Sequence, residues 1–178
     1  MMRPSRAFLM LLVALVAAAP AAARQRAPTP EWTSRALTYL LDVCPRVLAG
    51  EVRLDDAPVI RALGLEPTTP SNIGRLWVQA LDSRGPQPIT LGFNDSPDKQ
   101  GCKVSFDDPG MRFTRAVHDG LAARGWTSAG SGLPELVNFY TPPSPEITDR
   151  LMLIRFGRIR RTEAWAGFTL IRDKAGVN

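Results

Sequence analysis

A run of arginines near the end of the chain is the densest group of side chains that could do chemistry. Four of them lie within one short stretch: Arg155, Arg158, Arg160 and Arg161. Guanidinium groups hold phosphate and carboxylate groups through paired hydrogen bonds, so this stretch is a candidate anion-binding site. The alternative is a solvated hairpin whose charges protect an edge strand from pairing with another chain.

Groups suited to nucleophilic catalysis are sparse. His118 is the only histidine. On an ideal helix it lies well away from the apolar stripe, which indicates a surface side chain beside Asp119. Ser131 lies in a glycine-rich loop but lacks the strand–turn–helix setting of a nucleophile elbow. We therefore assign no catalytic residue.

Two aspartate pairs are the remaining candidates for acid–base chemistry. Asp55-Asp56 and Asp107-Asp108 each stand shortly before a proline. This pattern is typical of a helix start, where a carboxylate caps free amide N–H groups and proline fits the first turn. We interpret both pairs as caps. The alternative is a hydrolase whose dispersed carboxylates face one another across a cleft.

Metal and cofactor motifs are missing from the sequence. Asn94, Asp95 and Asp98 lack the spacing of a calcium-binding EF-hand loop. One histidine and two separated cysteines do not supply the usual ligands of a structural zinc site. No phosphate-binding glycine loop occurs either. No metal or cofactor is predicted.

The first residues have the features of a secretory signal peptide. Arg3 and Arg6 precede an apolar run from Ala7 to Ala19, and alanines 21–23 offer a cleavage site. The run is short for a membrane span. We predict cleavage after residue 23, which leaves a chain without a membrane span that is periplasmic or secreted. The alternative is an uncleaved anchor. Scarce lysine with abundant arginine, alanine and proline indicates a bacterial source.

The two cysteines, Cys44 and Cys102, lie in the mature chain. Because cysteines of exported proteins usually pair, we predict a disulfide between them. It would close a loop of 58 residues, which favours the fold by about 4 kcal/mol through loop-closure entropy. It would also tie the first helix to the sheet.

The mature chain has the length of one domain. We divide it into a disordered leader, 24–30, and a single domain, 31–178. The segment 1–23 carries two arginines and no acid, so its loss lowers the net charge from +5 to +3. Such a mildly basic, exported chain is not expected to bind nucleic acid.

Helical patterns are predicted in three places. The first helix begins at Glu31 and kinks or restarts at Pro45, and a short helix follows Asp56. A central helix begins at Asp108-Pro109, places Phe113, Val117 and Leu121 on one face, and ends at Gly125.

Strand patterns fill much of the rest. They cover residues 76–81, 89–94, 102–106, 136–140, 151–156 and 164–171, whereas 66–72 and 127–134 are interpreted as loops. In the third strand, Cys102, Val104 and Phe106 point to one side, and Lys103 and Ser105 point to a wet side. The order ααβββαβββ predicts an α+β fold. It has a largely antiparallel sheet of about five to six strands, on which an N-terminal helix pair and one central helix pack.

These features favour a non-enzymatic binding or interaction module. Its expected partner is an anionic envelope polymer or lipid head group, or an acidic protein, bound by the arginine stretch. One alternative is a cell-envelope hydrolase that uses dispersed carboxylates. Another is an enzyme inhibitor that inserts the segment 127–134 or 141–146 into its target.

Overall fold

An antiparallel sheet and the helices on one of its faces account for most of the described chain. The computed structural model describes residues 26–73, 76–108, 110–129, 137–157 and 164–174. Eight strands are present in this part: β1 (Glu66–Ile73), β2 (Leu76–Asp82), β3 (Ile89–Asp95), β4 (Lys99–Asp107), β5 (Thr127–Ser128), β6 (Val137–Thr141), β7 (Arg150–Gly157) and β8 (Ala164–Asp173). Their spatial order is β1-β2-β3-β4-β8-β7-β6-β5. The sheet therefore consists of two four-stranded meanders joined through β4 and β8.

The register of the central strands separates the two faces of the sheet. Val104 pairs with Phe168, and Phe168 pairs in turn with Leu153. All three side chains are buried under the helices, so we call this the covered face. The neighbouring positions in the same strands, such as Lys103, point to the opposite side because strand side chains alternate. We call that side the open face.

The mixed α+β class is confirmed, whereas the predicted strand count is wrong. The two additional strands are the edge strands β1 and β5. Strand β1 contains Pro67 and Pro70, and its register shifts between Pro67 and Ser71. Proline lacks the N–H that a central strand needs, but an edge strand can present that position to solvent. Strand β5 has two residues, which is too short for an alternating pattern.

The first helical segment continues through Pro45 by a local change of geometry. It consists of α1 (Pro30–Thr38), a π-helical turn (Tyr39–Val43) and α2 (Cys44–Leu48). Pro45 lies in the first turn of α2, a position at which a helix tolerates the missing N–H of proline. The Thr29 hydroxyl caps the start at Pro30 by accepting a hydrogen bond from the Trp32 N–H.

Two further helices complete the described helical part, α3 (Ala57–Ala62) and α4 (Arg112–Ala122). The arrangement differs from the prediction because α1 packs against α4 as well as on the sheet. The centroid of the Trp32 ring lies 4.7 Å from the ring centroid of Phe113 in α4 and 5.0 Å from that of Phe106 in β4. Of the described helices, none is long and apolar enough to cross a bilayer.

The start of α4 also differs from the prediction. Asp108 does cap the helix, since its carboxylate accepts hydrogen bonds from the N–H groups of Phe113 and Thr114. The helix begins at Arg112, however, after Met111 in a left-handed conformation. Pro109, the expected first residue, lies outside the described part. The predicted stripe of Phe113, Val117 and Leu121 is fully buried.

The predicted disulfide is confirmed. Cys44 and Cys102 are bonded, with their Cα atoms 5.3 Å apart, and both are fully buried. Since Cys44 begins α2 and Cys102 lies in β4, the bond fastens the first helical segment to the centre of the sheet.

Candidate functional site

Most of the arginine stretch lies outside the described residues, namely Arg158, Arg160 and Arg161. Arg155 is described, and it lies on the covered face near the end of β7. Its Nη2 donates to the carbonyl oxygen of Asp108 at 3.5 Å. Its Nε is buried, without a hydrogen-bond partner in the described chain. Arg155 is thus half-buried beside the cap of α4, and the anion site predicted for the whole stretch stays a prediction.

The aspartate pairs lie far apart. Asp56 caps α3 by accepting from the Val59 N–H at 3.3 Å, and Asp55 pairs with Arg53. The hydrogen bonds from Arg53 lower the pKa of Asp55. Asp55 lines a cavity together with Gln100, which lies near the start of β4. Asp107 lies at the end of β4, seven residues after Gln100. Roughly 20 Å of strand separates the pairs, so they do not share a cleft.

His118 is half-buried, although the helical pattern placed it on the surface. Its Nδ1 lies 3.0 Å from the hydroxyl of Tyr140 in β6. Tyr140 is buried, and this burial raises the pKa of its hydroxyl. The pair therefore connects α4 to the sheet. Ser131, the serine considered with it, lies outside the described part.

A buried carboxylate that the sequence pattern did not single out lies at the end of β2. Asp82 is 1% exposed and accepts hydrogen bonds from the Tyr39 hydroxyl at 2.7 Å and from the Arg84 side chain. Burial alone would raise its pKa, but these bonds lower it overall. Burial and the neighbouring carboxylate raise the pKa of Tyr39. The cluster therefore joins the first helical segment, through Tyr39, to the end of β2.

The open face carries a groove of about 470 Å³. This volume lies within the range of small-molecule sites, roughly 300–1,000 Å³. The floor crosses β4, β8, β7 and β6 and is mostly apolar. Its central side chains are Phe139, Met152, Ile154, Trp165, Thr169 and Ile171. No described helix covers these residues, and Phe139 is 52% exposed.

One cation lies within this apolar surface. The Lys103 ammonium is 3.7 Å from the centroid of the Trp165 ring, a distance at which the ring attracts a positive charge. Lys103 forms no ion pair with a carboxylate of the described residues. Burial lowers the pKa of Lys103 to about 8. The side chain is therefore mostly protonated at neutral pH and lacks a counter-charge.

Gly167 makes the position of Lys103 possible. It lies in β8 between Trp165 and Thr169, and Thr169 is the residue that pairs with Lys103. A Cβ atom at Gly167 would collide with Cε of Lys103 and lie 3.0 Å from the Trp165 ring. Because glycine leaves this space open, the lysine side chain lies over Gly167 and its ammonium reaches the Trp165 ring.

The other cations of the groove already have partners. Arg150 Nη2 lies 2.7 Å from Asp173 Oδ1, and Lys99 Nζ lies 3.6 Å from Asp98 Oδ2. Asn94, at the same end, has a buried Oδ1 that no described donor reaches. Lys103 is thus the groove cation that remains available to an anion.

A second cavity, also about 470 Å³, lies on the covered side between α2 and strands β2 to β4. Apolar side chains line most of it, including Val52, Trp77 and Phe93. The charges at its rim, Arg53 and Asp55, bind each other in two hydrogen bonds. It offers space for apolar groups, but its charged groups already satisfy each other.

In the part of the chain that is described, no three His, Cys, Asp or Glu side chains are grouped so that they could hold a metal ion.

Comparisons of the chain with protein-family models, with curated proteins and with solved structures found no match. The groove and its chemistry therefore carry the functional argument.

Proposed function

We propose that the protein is an exported, non-enzymatic binding module for an anionic component of the cell envelope, and that the groove of the open face is its binding site. The observation that carries this proposal is the ammonium of Lys103, which lies in an apolar groove without a described carboxylate partner. An anionic ligand would supply the missing counter-charge.

Export has separate support. The residues 1–23 have the composition of a signal peptide. The disulfide between Cys44 and Cys102 is of the kind that persists in oxidising compartments. The arginines at 158, 160 and 161 follow β7 in sequence, and we retain them as a second candidate contact for the anion.

The hydrolase alternative has little support. Asp56 and Asp108 cap helices, Asp55 pairs with Arg53, and roughly 20 Å separates the two aspartate pairs. The inhibitor alternative rests in part on the segment 127–134, of which residues 130–134 are outside the described chain.

The test is co-sedimentation of the mature protein with vesicles of phosphatidylglycerol, with phosphatidylcholine vesicles as the neutral comparison and with dextran sulfate as a soluble competitor. We expect selective, salt-sensitive binding to an anionic probe. If the groove is the site, Lys103→Met should weaken binding to the anionic vesicles. If the arginines contribute, the triple change of Arg158, Arg160 and Arg161 to Ser should also weaken this binding. Equal binding to neutral and anionic probes would refute the proposal.

A further inference from the structure

The groove has a direction set by the strand register. Lys103 pairs with Thr169, Thr169 with Met152, and Met152 with Phe139. These four side chains form one row across β4, β8, β7 and β6. Three strand spacings separate its ends, about 14 Å. The row therefore begins at a cation and continues over apolar groups to the exposed ring of Phe139.

The flanks of this row include two further apolar side chains. Ile154 lies two residues after Met152 in β7, and Ile171 lies two residues after Thr169 in β8. Because the two strands are antiparallel, these side chains lie on opposite sides of the row, and both line the groove. An apolar chain lying along the row would remove these side chains from water, which is the main source of affinity for such ligands. A short hydrophilic anion would leave them exposed.

The charge count favours a ligand with a single negative charge. Lys103 supplies one cation, whereas Arg150 and Lys99 are paired with Asp173 and Asp98. A polyanion needs several available cations within reach, and the described groove offers one.

Resting on the function proposed above, we infer that the ligand is a single-chain carboxylate amphiphile. Its carboxylate pairs with the Lys103 ammonium beside Trp165, and its hydrocarbon chain lies over Met152 towards Phe139. Both halves of the groove contribute to affinity, because the ammonium pairs with the carboxylate and the row buries the hydrocarbon chain.

Isothermal titration calorimetry with three probes tests this inference on the mature protein. The probes are dodecanoate below its micelle concentration, neutral glycerol monododecanoate, and butyrate, which has the same carboxylate on a short chain. We expect dodecanoate to bind at least about tenfold more tightly than either of the others, since it alone has both parts.

Two matched pairs of variants separate the two halves. Lys103→Met should lower dodecanoate affinity about tenfold or more, whereas Lys174→Met, which removes the same charge from a site paired with Asp95, should change it less than about twofold. Phe139→Ser should weaken binding several-fold. Val137→Ser should not, because Val137 is equally exposed on the same strand but lies outside the groove lining.

The outcomes distinguish this inference from the proposed function. Selective binding to anionic vesicles together with equal affinities for butyrate and dodecanoate would overturn the chain half and leave the function standing. Equal affinities for dodecanoate and its neutral glycerol ester would overturn the carboxylate half. Failure of every anionic probe, vesicles included, would overturn both.

Discussion

The ammonium of Lys103 lies 3.7 Å from the centroid of the Trp165 ring, across the space that Gly167 leaves open. A charge in this position loses hydration, and the ring returns only part of that loss. The covered face satisfies its buried carboxylates, such as Asp82 and Asp108, with protein donors. On the open face, Lys103 has no such partner among the described residues, and the proposed anion site rests on this observation.

Replacing Lys103 with Met should stabilise the protein at pH 7. The folded-state pKa, about 8, lies below the ordinary value of 10.5. Between these values the unfolded chain keeps the proton that the folded protein releases, so wild-type stability rises with pH. At pH 7 the folded protein bears the full cost of the charge, and the substitution should raise the free energy of unfolding by on the order of 1–3 kcal/mol.

Urea denaturation at pH 7 and at pH 11 measures this difference. The advantage of Lys103→Met should shrink at the higher pH, where the lysine is neutral in both states. Lys174→Met is the control, since Lys174 is paired with Asp95 and its removal should not stabilise. A Lys103→Met protein that is less stable than wild type at pH 7 would show that the cation–ring contact outweighs the desolvation.

Affinity for dodecanoate should fall as the pH rises through about 8. Only the protonated lysine attracts the carboxylate, and the ligand stays ionised over this range. Between pH 7 and pH 9.5 the loss should be on the order of tenfold, because binding must then first restore the proton. Calorimetry at both pH values measures it. Lys103→Arg keeps its charge throughout, so an equal loss in that variant would mean that another group titrates.

The centre of the fold could be predicted from the sequence, and its edges could not. Strand β4 alternates clearly because one of its faces is buried under helices and the other is not. Strand β1 pairs with another strand on one side only, so Pro67 and Pro70 are tolerated there. The same two prolines made the segment look like a loop in the sequence. The disulfide was predictable from two cysteines in a chain whose first residues have the composition of a signal peptide.

The candidate site was predictable only in part. Alternation places Lys103 on the wet side of β4, but nothing local connects it with Gly167 and Trp165, more than sixty residues later. That contact depends on the pairing of β4 with β8, which is a long-range feature. The charge density of the arginine stretch was visible in the sequence, whereas a single lysine without a partner becomes visible only in three dimensions.

Removing the disulfide should destabilise the protein by about 4 kcal/mol, because the bond closes 58 residues. The double change of Cys44 and Cys102 to Ala avoids a free thiol. Guanidinium denaturation with and without reductant measures the effect. Wild type should lose stability when reduced, and the variant should not respond. Equal unfolding midpoints for oxidised wild type and the variant would mean that packing alone holds the first helical segment on the sheet.

Gly167→Ala should move Lys103 away from Trp165 without changing any charge. The new methyl group would meet Cε of Lys103 and lie 3.2 Å from its Nζ, so the flexible lysine is expected to swing towards solvent. Its pKa should then rise from about 8 towards the ordinary value, and dodecanoate affinity should fall. The chain has three lysines, so NMR of ¹³C-dimethylated protein can follow each one. Gly101→Ala is the control for the lysine titration alone, because its methyl group meets Thr169 at 3.2 Å and not the lysine. An unchanged Lys103 titration in Gly167→Ala would show that this glycine does not hold the lysine in place.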